Sequence, residues 1–157
     1  MPILLTVLRE KWGWNVDITT HVQRIKYHLG VGRGIIENLG NPIAYDVEGV
    51  EPNPELSVLD PPRPDDPFYV ATDERDPEAV EVIRREGGVF LLDLLTMEDR
   101  HEFGWPLLLT DVRAIVEQSM LAHSAYFCGH LMSSYSGAIL NERAVLGADR
   151  RTAHMLD

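Results

Sequence analysis

From Pro67 onward, short runs that are apolar throughout alternate with segments of helical periodicity, and this alternation constrains the fold of the 157-residue chain more than any other feature. Phe68-Tyr69-Val70-Ala71 and Tyr126-Phe127-Cys128 have no polar face, which predicts strands buried on both sides. Strands separated by helices predict a parallel sheet with right-handed crossovers, hence an α/β fold with flanking helices. The pattern predicts a strand over 68–72 and a helix over 77–86, with Asp76 as its cap and Pro77 at its first position. A second buried strand is expected over 89–92, and a helix starting within 94–98. A loop over 101–109 is expected to pack Trp105 inward. Thr110 or Asp111 then caps a helix running to about His123, 126–129 forms the next strand, and 134–145 the last helix.

The first third of the chain is less regular. Apolar residues at helical spacing predict a helix over 3–12, Gly13 a turn, and the β-branched stretch 16–22 a strand. Ile35 and Ile36 continue a short helical pattern. Gly30-Val31-Gly32-Arg33-Gly34 matches neither the dinucleotide nor the Walker spacing and predicts a plain turn. Residues 41–66 are rich in proline and acid, which predicts an irregular surface excursion within one domain covering 1–157.

Composition excludes several classes. A net charge of −11 argues against a nucleic-acid or anionic-membrane surface, since both require a basic footprint. The single cysteine, Cys128, lies in an apolar run and is expected as a small core residue. The six histidines are scattered with no ligand spacing for zinc, so no metal site is expected. No Gly-x-Ser-x-Gly elbow surrounds Ser133, Ser134 or Ser136, which makes them poor candidates for a hydrolase nucleophile. The apolar opening is interrupted at once by Arg9, Glu10 and Lys11, so neither a signal peptide nor a membrane span is expected.

The passage with most chemical content is Phe127-Cys128-Gly129-His130-Leu131-Met132-Ser133-Ser134-Tyr135-Ser136. An apolar run ends in a glycine, hydroxyls follow, and a helical pattern begins. A strand in this arrangement presents an anion to the free amides and positive dipole end of a helix. The same hydroxyls also suit a simple helix cap.

The surrounding residues extend the pattern. Ala114-Ile115-Val116-Glu117-Gln118, Ala122-His123-Ser124, Phe127 to Gly129, Ser133 to Ser136, Glu142-Arg143 and Gly147 together resemble the C-terminal signature of the GDP-fucose protein O-fucosyltransferases. That family shows Ile-Asp-Gln, Ala-x-x-x-x-Phe-x-Gly, Ser-(Ser/Thr)-Phe-(Ser/Thr) and Arg-x-x-x-Gly in this order. Upstream, Phe68 to Glu74 resembles its strand ending in Ala-Thr-Asp, and Val16 to Arg24 its strand carrying His-x-Arg.

The resemblance implies a Rossmann-like parallel sheet, that of the C-terminal, donor-binding lobe of a GT-B glycosyltransferase. It also implies inverting, metal-independent transfer of fucose from GDP-fucose to a Ser or Thr hydroxyl of a protein, with no further cofactor. The diphosphate would lie on Gly129, Ser133, Ser134, Tyr135 and Ser136, with Arg143 a further family match; the base would lie against His21 and Glu117, and the ribose beside Asp73. The family's catalytic arginine position falls on Gln23, with Arg24 next to it, which implies binding without efficient transfer. Glu117 stands where the family carries an aspartate, and Asp111, Arg113 and Glu117 read equally as ordinary surface charge on a helix. Asp73 either opens a turn or touches ribose, and Arg143 also reads as structural. The family's compartment is the secretory-pathway lumen, the endoplasmic reticulum or Golgi. Two other classes fit the residues: a non-catalytic GDP-binding module, and a flavodoxin-like interaction domain whose serine turn binds nothing.

Overall fold

A computed structural model describes residues 4–8, 17–56 and 61–157, with side chains described from residue 17 onward. Five strands form one sheet: β1 (Leu4–Leu8), β2 (Phe68–Thr72), β3 (Gly88–Val89), β4 (Tyr126–His130) and β5 (Ala153–Leu156). Their order is β3-β2-β1-β4-β5 and every neighbouring pair is parallel. β1 is central, pairing Leu4 with both Phe68 and Tyr126, and Leu8 with Thr72. The connecting helices are α1 (Ile18–Glu37), α2 (Pro77–Arg85), α3 (Leu91–Leu94), α4 (Met97–Phe103), α5 (Thr110–Ala122) and α6 (Ser134–Val145).

The apolar runs form strands because alternate side chains enter two cores, one on each face. Phe68, Val70, Tyr126 and Cys128 pack with Val22, Ile25, Leu29 and Ile36 of α1 and Ile83 of α2. Tyr69, Ala71 and Phe127 pack on the opposite face with Leu91, Leu121 of α5 and Ile139 of α6. The excursion over 41–56 is irregular but tied down: Asn53 N–H donates to the Gly147 carbonyl at 2.8 Å, and Ile43 N–H to Asp149 Oδ2 at 2.8 Å. Gly147 has φ +74°, and a Cβ there would lie 2.3 Å from the Glu51 carbonyl oxygen. Among the described residues no helix is long and apolar enough to cross a membrane.

Several expectations hold closely: the strand over 68–72, the helix behind Asp76, whose side chain accepts from Glu78 N–H, and the helix over 134–145. Others are corrected. The helix expected over 3–12 gives way to strand β1 at 4–8, because a short apolar run satisfies both periods and β1 gains a ladder on each edge; residues 9–12 and the turn at Gly13 lie outside the described residues. The strand expected over 16–22 is replaced, where described, by the start of α1, because burial of Val22, Ile25 and Leu29 at helical spacing outweighs the β-propensity of Ile18, Thr19 and Thr20.

The turn expected over 30–34 is the interior of α1. Gly32 sits where a Cβ would lie 2.5 Å from the Tyr126 ring, so the helix accepts a glycine to approach β4. Within the expected strand over 89–92 only Val89 belongs to β3, and α3 starts at Leu91. A helix does start within 94–98, at Met97 behind Thr96, whose Oγ1 accepts from Asp99 N–H, but it runs to Phe103 and so takes the first three residues of the loop expected over 101–109. Trp105 is 71% exposed, not packed inward. Leu109 occupies the cap position of α5, without a side-chain cap bond.

Candidate functional site

The carboxyl ends of β2 and β4 open into a cavity of about 520 Å³. β1 lies between these strands and is the strand from which the sheet order runs outward in both directions, the place where open α/β sheets hold ligands. One wall is the loop after β2, from Thr72 to Arg75; another is the start of α3 with Phe90 before it. α5 contributes Arg113 and Glu117, and the start of α6 contributes Ser133, Ser134 and Tyr135.

Local bonding fixes these walls. Thr72 Oγ1 accepts from Glu74 N–H at 3.0 Å, and Glu74 Oε1 accepts from the N–H groups of Arg75 and Asp76 at 2.7 Å each. Asp73 is left exposed at the rim. Ser133 Oγ caps α6 by accepting from Ser136 N–H, and the buried Ser136 Oγ accepts from His130 N–H at 3.1 Å. Ser134 is exposed, and its N–H and that of Tyr135 belong to the first turn, where a helix offers no internal acceptor. Tyr135 Oη donates to the Ala114 carbonyl at 2.7 Å, which locks α6 against α5.

Glu117 is the electrostatic centre of the cavity. Tyr69 of β2 donates its hydroxyl to Glu117 Oε1 at 2.6 Å. Burial raises the glutamate's pKa above its ordinary value, opposed by this hydrogen bond and by the charge of Arg113. Burial and the glutamate together raise the pKa of the Tyr69 phenol. Gln118 Nε2 donates to Glu142 Oε2 at 2.9 Å, joining the same two helices farther along.

Of the residues chosen from sequence, the cavity brings together Asp73, Glu117, Ser133, Ser134 and Tyr135. Ser136 lies behind it, bonded to β4. Gly129 is buried in β4, where a Cβ would lie 2.7 Å from the Phe127 ring and 2.9 Å from Met155 Sδ, so its missing side chain makes room for packing. Arg143 is 1% exposed and lies away from the cavity. It donates to the carbonyls of Ala122 at 3.0 Å and Ser124 at 2.8 Å, and to Thr152 Oγ1 at 2.7 Å.

His21, Gln23 and Arg24 do not line the cavity. Their expected strand-end position does not exist, because all three lie in the first two turns of α1, which covers the opposite face of the sheet from α5 and α6. Gln23 Nε2 donates to Glu86 Oε2 at 3.2 Å and Arg24 pairs with Asp157 at 2.6 Å. Burial first, then the charges of Arg24 and His130, hold the His21 pKa down.

Sequence reasoning missed the basic lining. Arg84 pairs with Asp93 at 3.0 Å and stands 5.1 Å from the Phe90 ring centroid. Arg113 has a buried Nε with no hydrogen-bond partner. Its one sequence signal was its place one turn before Glu117, which reads as surface charge. Among the described residues no group of three or more His, Cys, Asp or Glu could hold a metal ion. No protein-family model matches the chain, and no curated protein matches it.

Proposed function

We propose that the cavity binds a nucleoside diphosphate sugar, GDP-fucose by the resemblance of the motifs, and that the chain is the Rossmann-like, donor-binding lobe of a GT-B-type protein O-fucosyltransferase. The observation that carries this reading is convergence: Asp73, Glu117, Ser134 and Tyr135, far apart in sequence, meet in one cavity at the carboxyl ends of parallel strands. The volume of about 520 Å³ falls in the range of small-molecule sites.

Each role follows from donor and acceptor chemistry. Glu117 keeps Oε2 and part of Oε1 for the N–H edge of guanine, while Tyr69 holds the carboxylate in place. The first-turn amides of α6 and the Ser134 hydroxyl suit the diphosphate, and Asp73 at the rim suits a ribose hydroxyl. In the transfer, an acceptor hydroxyl forms the new bond to the sugar's anomeric carbon as the bond to the β-phosphate oxygen breaks. The electron pair leaves with GDP, and the hydroxyl proton passes to a base. Donors aimed at the departing diphosphate act where charge develops.

A weak-transfer reading based on Gln23 loses its footing, since Gln23→Arg would put a cation beside Glu86 and Lys26, away from the cavity. Thermal denaturation with GDP, UDP and ADP tests the reading. GDP is expected to raise the midpoint in proportion to its saturation and the other two much less. Equal or absent shifts for all three would remove the nucleotide assignment.

A further inference from the structure

Arginine at one position of a helix and glutamate four residues on normally reach each other. Arg113 and Glu117 stand in that relation on α5, both line the cavity, and yet no ion pair within 4.0 Å joins them. The cause lies on the sheet: Tyr69 takes Glu117 Oε1 at 2.6 Å and holds the carboxylate toward β2. The Arg113 Nε–H is buried without an acceptor, as is that of Arg143, but of the two arginines only Arg113 lines the cavity. A guanidinium that lines a cavity with no carboxylate paired to it is placed to take an anionic group from outside.

The other cations near the cavity are differently committed. Arg84 is held by Asp93 and the Phe90 ring, and Arg75 is exposed at the rim. Arg113 also has the right neighbours. The Ala114 carbonyl, next to it in the chain, accepts from Tyr135, so the first turn of α6 and its free amides face the same space as the guanidinium.

We infer that Arg113 is the anion-binding cation of this cavity, taking a phosphate or diphosphate group between its guanidinium and the first turn of α6. The inference rests on the nucleotide reading for the identity of the natural ligand, but the anion site can be tested without it. Guanidinium suits the task because its planar fork matches two phosphate oxygens at once.

The experiment titrates inorganic pyrophosphate and GDP, separately, into the wild-type chain, Arg113→Met and Arg113→Lys. Circular dichroism confirms that each variant is folded. The wild type is expected to bind both ligands, the methionine variant to bind each at least about tenfold more weakly, and the lysine variant to fall between. If the wild type binds pyrophosphate in an Arg113-dependent way but not GDP, the anion site stands and the nucleotide reading falls. If all three proteins bind GDP and pyrophosphate alike, the nucleotide reading stands and the role of Arg113 is overturned. If the wild type binds neither ligand, both are overturned.

Discussion

The two ends of α5 treat arginine in opposite ways. Near its C-terminal end, Arg143 of α6 is almost wholly buried, and its two terminal nitrogens donate to the carbonyls of Leu121, Ala122 and Ser124 and to Thr152 beside β5. Burial lowers its pKa, and Tyr45 and Asp149 counter that effect. In both arginines Nε is buried without a partner, but one turn into α5 the Arg113 side chain lines the cavity instead of meeting main-chain oxygens. A cation that meets main-chain oxygens fastens elements together, whereas one left facing a cavity has its acceptor still to come. The difference separates stability from binding in a single pair of elements.

Removing each arginine in turn separates the two roles. Arg143→Met strands several buried carbonyls and is expected to cost about 3 kcal/mol or more in chemical denaturation, or to prevent folding. Arg113→Met is expected to cost about 1 kcal/mol or less, since it loses the charge attraction of Glu117 but no hydrogen bond to main-chain oxygens. Equal destabilisation by the two would erase the distinction. A smaller effect is expected for Tyr69→Phe, which frees Glu117 to turn back on Arg113. Pyrophosphate affinity should fall about fivefold with little change in stability, and an unchanged affinity would show that Tyr69 does not hold the two charges apart.

The smallest effect is in pH. Burial raises the Glu117 pKa above 4.5, so its carboxylate takes up a proton at a higher pH than an ordinary glutamate. A raised folded-state pKa means that the folded chain binds this proton more tightly than the unfolded one. The stability so gained is full below the ordinary glutamate range and is lost as pH rises through the raised value. Binding runs the other way, because guanine's N–H edge needs the ionised carboxylate. On acidification GDP affinity should therefore weaken while the contribution of Glu117 to stability grows. Titrations across the mildly acidic range check this, with Glu117→Gln expected to abolish the slope.

The distinction also explains what could be read in the sequence. Segments with strong local punctuation were legible: Asp76-Pro77 fixes the start of α2, and the hydroxyls after β4 fix the start of α6. β1 and α1 were not, since a five-residue run with four apolar side chains suits helix or strand equally and only the neighbours β2 and β4 decide. Gly32 misled because its purpose, contact with Tyr126, lies in tertiary structure. β5 carried no signal of its own, being a short partner to one side of β4. At the cavity, motif order pointed to Asp73, Glu117, Ser133, Ser134 and Tyr135. It also drew in His21, Gln23 and Arg24, which a helix carries to the other face. Arg113 stayed hidden because its character depends on Tyr69 occupying Glu117, a contact across 48 residues of sequence.

The most direct measurement is a calorimetric titration of GDP into the wild-type chain and into Glu117→Gln. Saturable one-to-one binding by the wild type is expected, weakened about tenfold to a hundredfold in the variant, because one charge-assisted acceptor for the base is lost. Absence of binding by the wild type, or equal binding by both, would contradict the account.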